Sequence, residues 1–225
     1  MSKRYFWWNF KKFSDSMSYY LFKPNTPTCQ RPRPLIVWLH GSGEVAVRKR
    51  DFLSAGLPNV LLNWSLKPFN AYILCPQLMI EDDIWDRDEN VEELMKIIEK
   101  VCSEVPINHR KIILAGHSLG AMGSMYIAER IHDFFSCMCV LSGYEIGVNL
   151  TKIKTPVLGI VGTEEAEEDP ESVEFMTGHF DSNFGSHTVW ELDASHEDIP
   201  ARAFLDDADL DGSSDLIKWM FSHRL

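Results

Sequence analysis

Ile112-Ile113-Leu114-Ala115-Gly116-His117-Ser118-Leu119-Gly120-Ala121-Met122 is the stretch on which the reading of this chain turns. Four apolar residues in a row, without polar alternation, suit a strand buried on both faces. Ala121 to Ile131 reads as a helix. Between them lies Gly116-His117-Ser118-Leu119-Gly120, a Gly-x-Ser-x-Gly. A strand that turns at once into a helix needs small residues on both sides, because a Cβ there would collide with neighbouring backbone. The turn pushes the serine side chain out at the carboxyl end of the strand. The helix brings its N-terminal N–H groups to the same spot, where they can stabilise an anion. Ser118 is therefore the candidate nucleophile. The plain alternative is a glycine-rich turn whose serine only caps the helix.

Working outward, strand and helix patterns alternate. Ser18 to Phe22 reads as an early strand, and Pro24 to Pro34 as an extended loop. Leu35 to Leu39 is a continuous apolar run. Leu57 to Leu66 is predicted as a short helix, and Ala71 to Cys75 as a strand ended by Pro76. Glu89 to Val101 spaces Val91, Leu94, Met95, Ile98 and Val101 at helical intervals. Lys111 to Ala115, Cys137 to Leu141, Val157 to Val161 and Thr188 to Leu192 read as strands. Val173 to Phe180 and Ser213 to His223 read as helices. Such alternation implies a three-layer α/β fold: a mostly parallel sheet with helices on both faces. One domain over residues 1–225 is expected, with residues 1–34 adding an antiparallel strand or two at an edge and leading into the core. No segment long enough for a large lid domain is visible, so the site is expected to be open and to suit short or soluble acyl groups.

Composition narrows the function. The chain of 225 residues is 45% hydrophobic and 24% charged, ordinary for a soluble globular protein. Its formal net charge of -11 argues against nucleic acid, whose phosphates call for a surplus of Lys and Arg. It also argues mildly against an anionic membrane surface. No stretch approaches membrane-spanning length, and the aromatic N-terminus (Tyr5, Phe6, Trp7, Trp8, Phe10) lacks the pattern of a signal peptide. A cytoplasmic location is expected, with edge-strand packing or a homodimer contact as the role of those aromatics. The five cysteines, Cys29, Cys75, Cys102, Cys137 and Cys139, form no metal-binding spacing and read as reduced thiols.

At this point a resemblance is visible. The elbow at Ser118, the earlier His40-Gly41-Ser42-Gly43-Glu44 and the later His196 stand in the order of the α/β-hydrolases. Pro34-Leu35-Ile36-Val37-Trp38-Leu39-His40-Gly41-Ser42-Gly43-Glu44 resembles the opening of the dienelactone-hydrolase and carboxylesterase branch, which includes esterases and peptidases. Cys75-Pro76-Gln77 and Trp85-Asp86 add to the likeness, which covers roughly Ser18 to the C-terminus.

An acyl-transfer enzyme needs two N–H donors for the tetrahedral oxyanion. One is expected from Leu119, the residue after the nucleophile. The resemblance implies Ser42 for the other, with Gly43 as the alternative. A serine hydroxyl also needs a base. Of the eight histidines, His196 follows the last short strand, where the fold holds its base. His117 lies inside the elbow, its side chain expected to point elsewhere, and His40 belongs to the oxyanion loop. The orienting acid belongs after the strand Pro156 to Val161. Related sequences often read Gly-x-x-Asp there, which points to Glu165 in Gly162-Thr163-Glu164-Glu165. Glu164, Glu167 and Glu168 are rivals, and Asp169-Pro170 makes Asp169 the main alternative acid. Trp85, Asp86, Met122 and Tyr144 are candidates for lining the substrate pocket.

The resulting expectation is a serine hydrolase cleaving carboxylic esters through an acyl-enzyme, acting on a small-molecule ester or acyl substrate. It implies no metal or organic cofactor, no nucleic acid and no membrane insertion. A peptidase or amidase on the same triad is the nearest alternative. Carbon–carbon cleavage and acyl transfer use the same groups, and a binding protein that keeps the fold without turnover is the rival from another class.

Overall fold

The computed structural model describes residues 6–24, 31–63, 70–144, 147–168, 188–204 and 216–225. In chain order the strands are β1 (Phe6–Lys12), β2 (Met17–Pro24), β3 (Arg33–Leu39), β4 (Tyr72–Leu78), β5 (Ile107–His117), β6 (Cys137–Leu141), β7 (Val157–Gly162) and β8 (Thr188–Leu192). The helices are α1 (Lys49–Phe52), α2 (Gly56–Asn63), α3 (Asp88–Glu104), α4 (Leu119–Arg130), α5 (Thr163–Glu168), α6 (Ile199–Phe204) and α7 (Leu216–Ser222). The predicted helix over Val173 to Phe180 lies outside the described residues.

The strands form one 8-stranded sheet in the order β1-β2-β4-β3-β5-β6-β7-β8. β1 pairs antiparallel with β2, and β2 antiparallel with β4. From β4 to β8 every pairing is parallel. Among the described residues, Phe6–Lys12 thus forms an antiparallel strand at one edge of the sheet.

The continuous apolar runs are explained by burial on both faces. Along β3, Leu35, Val37 and Leu39 belong to one core cluster, while Ile36 and Trp38 belong to the other. The first cluster takes Leu94, Ile98 and Val101 of α3 and Met125 of α4. The second takes Leu57 and Val60 of α2, Phe204 of α6 and Met220 of α7. Helices therefore cover the sheet on both sides, as parallel strands require. In α3 the apolar stripe faces the sheet, and Asp88 and Glu89 in its first turn favour the positive end of the helix dipole.

One expectation is corrected. β4 does not end at Pro76 but continues to Leu78. Its ladder to β3 reaches only Leu74, whereas its ladder to β2 continues through Pro76 and Gln77. Pro76 therefore sits where the strand is paired on one side, a place where a missing N–H is tolerated. β5 is also longer than predicted, because Ile107 to Arg110, polar at their centre, extend the strand at its N-terminal end, where Ile107 pairs with Arg33 of β3.

Strand order fixes the position of the site. From β3 the chain moves outward to β4, then crosses back to β5 on the other side of β3. The connections leaving β3 and β5 thus diverge, and a crevice opens at the carboxyl ends of these two strands. The elbow and the His40–Glu44 loop both leave the sheet there.

The turn after β5 depends on two close approaches. A Cβ on Gly116 would lie 2.1 Å from the Gly120 carbonyl oxygen, and one on Gly120 would lie 2.1 Å from the Leu39 carbonyl oxygen. Both obstacles are backbone and cannot step aside. Gly116→Ala or Gly120→Ala is expected to cost about 3 kcal/mol or to prevent folding. Thermal unfolding of both variants beside wild type checks this, with Gly43→Ala as the control because nothing lies within 4 Å of its Cβ position.

Candidate active site

Ser118 stands between β5 and α4 with φ 54 and ψ -121. This conformation is strained for a residue with a Cβ. Its backbone is held on both sides: Ser118 N–H donates to the Leu141 carbonyl at 2.9 Å, and its own carbonyl accepts from Ala121 and Met122 N–H at 2.9 and 3.1 Å. Leu119 is the first residue of α4, and first-turn amides have no acceptor inside their helix. The His40–Glu44 loop lies directly alongside. A Cβ on Gly41 would be 3.5 Å from Ser118 Cβ, and Ser42, Gly43 and Ser118 line one cavity of about 370 Å³.

The loop is anchored by His40, which is buried. Leu78 N–H donates to His40 Nε2 at 3.1 Å, so Nδ1 carries the proton and donates to the Gly41 carbonyl at 2.7 Å. Burial pushes this imidazole down to about 4, with the Gly41 hydrogen bond acting weakly the other way. Trp85 Nε1–H donates to the His40 carbonyl at 3.0 Å. Gln77 donates its amide to the Glu44 and Val47 carbonyls at 3.2 and 2.9 Å. The Cys-Pro-Gln segment and Trp85 therefore serve the loop rather than a ligand.

His196 lies on the connection between β8 and α6. Its Nδ1 is 2.6 Å from Glu165 Oε1. A carboxylate can only accept, so Nδ1 carries the proton and Nε2 is the basic nitrogen. The other carboxylate oxygen, Oε2, accepts from Ser142 Oγ–H at 2.6 Å and from Gly162 N–H at 2.9 Å. Burial alone would raise the Glu165 pKa, but His196, Ser142 and Gly162 together outweigh it and hold the carboxyl below its ordinary value. A Cβ on Gly162 would lie 2.2 Å from the Ala194 carbonyl oxygen, so this glycine lets the His196 loop close over the end of β7. Glu164 is exposed, and Asp169 lies outside the described residues.

His117 departs from expectation. Its side chain turns toward His196, where Nε2–H donates to the His196 carbonyl at 2.9 Å, and it lines the same cavity as Ser118 and His196. Burial first, then the His196 charge, push it down to about 4. It is a neutral strut between the elbow and the His196 loop.

The predicted pocket residues do not line this cavity. Trp85 is buried, and its Cβ occupies the space beside Gly123, 2.2 Å from that glycine's Cβ position. Asp86, Met122 and Tyr144 are half-buried and outside the lining, and Tyr144 packs on the core. The lining comes instead from the β3 loop, from Ser54 to Asn59 around the start of α2, and from Glu197 and Pro200. Ser142, which no motif singles out, joins the site through Glu165; its only signal in the sequence is a small residue just past the carboxyl end of a buried strand, two residues before Tyr144. Among the described residues no cluster of three or more His, Cys, Asp or Glu side chains could hold a metal, and no helix is long and apolar enough to cross a membrane. Cys75, Cys137 and Cys139 are buried free thiols.

The buried titratable groups make stability depend on pH. An unfolded imidazole takes up a proton near 6.5, whereas His40 and His117 resist until about 4. Unfolding thus takes up protons in this window, and acidification across it removes up to about 1.4 kcal/mol per pH unit for each imidazole. Glu44 acts the other way. Burial and then the Glu197 charge raise it from 4.5 to about 7, so its contribution is complete below 4.5 and lost as pH rises to about 7. With two imidazoles against one carboxyl, stability is expected to rise from pH 4.5 to 6.5 and to decline slightly up to 7. Urea midpoints across this range check it, and a flat profile below 6.5 would contradict the two neutral imidazoles.

No protein-family model matches the sequence, and no curated protein matches it by sequence. Solved structures do. A thermostable esterase superposes with a TM-score of 0.67 at 16% identity, covering 98% of this chain and 64% of that one. The acylaminoacyl peptidase of Pyrococcus horikoshii gives 0.58 at 15% identity, covering 87% of this chain and 39% of the other. A feruloyl esterase module from Clostridium thermocellum gives 0.59 at 14% identity, covering 88% of each chain. The chain thus spans less than two thirds of the first two. With its mostly parallel sheet, its two helical layers and these structural relatives, the chain has the α/β-hydrolase fold.

Proposed function

We propose that the chain is a serine hydrolase that cleaves carboxylic esters through an acyl-enzyme. The observation that carries the reading is the 2.6 Å hydrogen bond from His196 to Glu165, made at a cavity that also holds Ser118 on its strained turn. The bond leaves Nε2 of His196 as the base. It takes the Ser118 proton as Oγ attacks the substrate carbonyl, and the imidazolium formed is stabilised by Glu165. The N–H groups of Leu119 and Ser42 stabilise the oxyanion. The leaving alcohol departs with the proton from His196, and water then repeats the cycle on the acyl-enzyme. The similarity to esterase structures fits this chemistry, and the polar cavity favours a small, soluble ester.

Hydrolysis of short p-nitrophenyl esters and fluorophosphonate labelling are expected in wild type and absent in Ser118→Ala. A folded wild-type chain giving neither signal would overturn the proposal in favour of a binding protein. Labelling with turnover of amides only would move it to a peptidase.

Glu165→Gln is expected to lower kcat by about 10³- to 10⁴-fold, because an amide no longer enforces the tautomer or stabilises the imidazolium. Ser142→Ala, which removes one hydrogen bond to Glu165, is expected to lower kcat/KM about fivefold with little change in KM. Steady-state kinetics of both variants on one ester check the order of these effects.

A further inference from the structure

The cavity at Ser118 has a charge pattern that the acyl-transfer chemistry does not explain. Two carboxylates line it, Glu44 and Glu197. Among the described residues neither Lys nor Arg lines it. The third carboxyl nearby, Glu165, is engaged by His196, Ser142 and Gly162.

Glu44 is the last residue of the short turn Ser42–Glu44 that carries the proposed oxyanion donor. It is only 8% exposed, yet it faces the cavity. Its carboxylate reaches back along the loop: Oε2 lies 3.2 Å from the Gly41 Cβ position, and Oε1 lies 3.0 Å from that of Gly56 across the cavity wall. Glu197 follows the proposed base directly and is exposed at the cavity rim. The two carboxylates thus bracket the reacting centre, one beside the oxyanion loop and one beside His196.

They also repel each other. Behind burial, the Glu197 charge is the second reason that the Glu44 carboxyl is pushed up to about 7. Backbone N–H groups of Gly41 and Glu44 bond to this carboxyl and act the other way without outweighing burial. Among the described residues no Lys or Arg lines the cavity to offset the rest, and a bound cation would remove much of the cost of burying the charge. Ser42, Ser54 and Asn59 complete a polar wall that offers hydrogen bonds rather than an apolar slot for a long acyl chain. The net charge of -11 adds a long-range field of the same sign.

We propose that Glu44 and Glu197 select substrates bearing a cationic group, such as a primary ammonium, close to the scissile carbonyl, and reject anionic ones. This rests on the acyl-transfer reading of Ser118 and extends it from reaction to substrate class. Glu44 supplies the buried, weakly screened contact. Glu197 attracts the cation at the rim, where salt weakens it.

The test uses the Nα-acetyl thiobenzyl esters of lysine, norleucine and glutamate, which differ chiefly in the charge at the end of the side chain. At low salt and pH 8, above the value of about 7 to which Glu44 is pushed, kcat/KM is expected to rank lysine above norleucine above glutamate, with about tenfold between neighbours. Added salt should compress the series. Glu197→Gln and Glu44→Gln should each lower the lysine-to-norleucine ratio about threefold or more, the norleucine rate of the same variant serving as reference for any general loss. A second measurement needs no turnover. Butylammonium should protect wild-type Ser118 from fluorophosphonate labelling better than butyrate does. Ser118-dependent turnover or labelling without these preferences would overturn the charge selection and leave the hydrolase reading standing. Loss of both turnover and labelling in the wild type would overturn both.

Discussion

Backbone packed against backbone at the end of β5 is the constraint on which the rest depends. The first turn of α4 lies so close to the end of β3 that no side-chain atom fits between Gly120 and the Leu39 carbonyl, or between Gly116 and Gly120. That closeness leaves Ser118 with φ 54. The cost of the strain is met by packing on both faces of the central strands, with Leu114 in one core cluster and Ile113 and Ala115 in the other. The strand-to-helix turn at Ser118 is therefore a property of the layered core and not of a local loop preference.

Electrostatics around this point follow a simple division. Groups that hold the architecture are kept neutral: His40 and His117 are buried, with fixed tautomers, and each donates to a backbone carbonyl. Groups with charge to offer sit at the cavity or in a satisfied network. Glu165 receives three donors, enough to keep it ionised despite partial burial. The same imidazole chemistry thus appears in two roles, set by burial and by the partner of the second ring nitrogen.

Much of this was legible in the sequence, for physical reasons. Continuous apolar runs such as Leu35 to Leu39 announce strands buried on both faces, and the helical spacing in α3 announces its buried stripe. Small residues flanking Ser118 have one steric explanation. Glu165 was reachable through its place after β7, although spacing alone could not separate it from its acidic neighbours; the hydrogen bonds from Ser142 and Gly162 do. What was hidden depends on contacts between segments far apart in the chain. Trp85 looks like a ligand platform in sequence, yet its indole N–H is committed to the His40 carbonyl. His117 looks like a bystander, yet it reaches across to a carbonyl seventy-nine residues later. The cavity wall from α2 has no motif, because its residues matter by position and not by type.

The proposed machinery is also distributed unevenly over the sheet. Ser118 and Glu165 follow β5 and β7, which have paired neighbours on both sides, whereas His196 hangs from the connection after β8, the border strand. Strands at a border have one ladder to lose rather than two. A sub-global opening that peels β8 away would draw His196 from both Glu165 and the serine while the central strands stay folded. Such a chain would be inactive yet still largely folded, so its working lifetime would follow the stability of its weakest border and not that of its core.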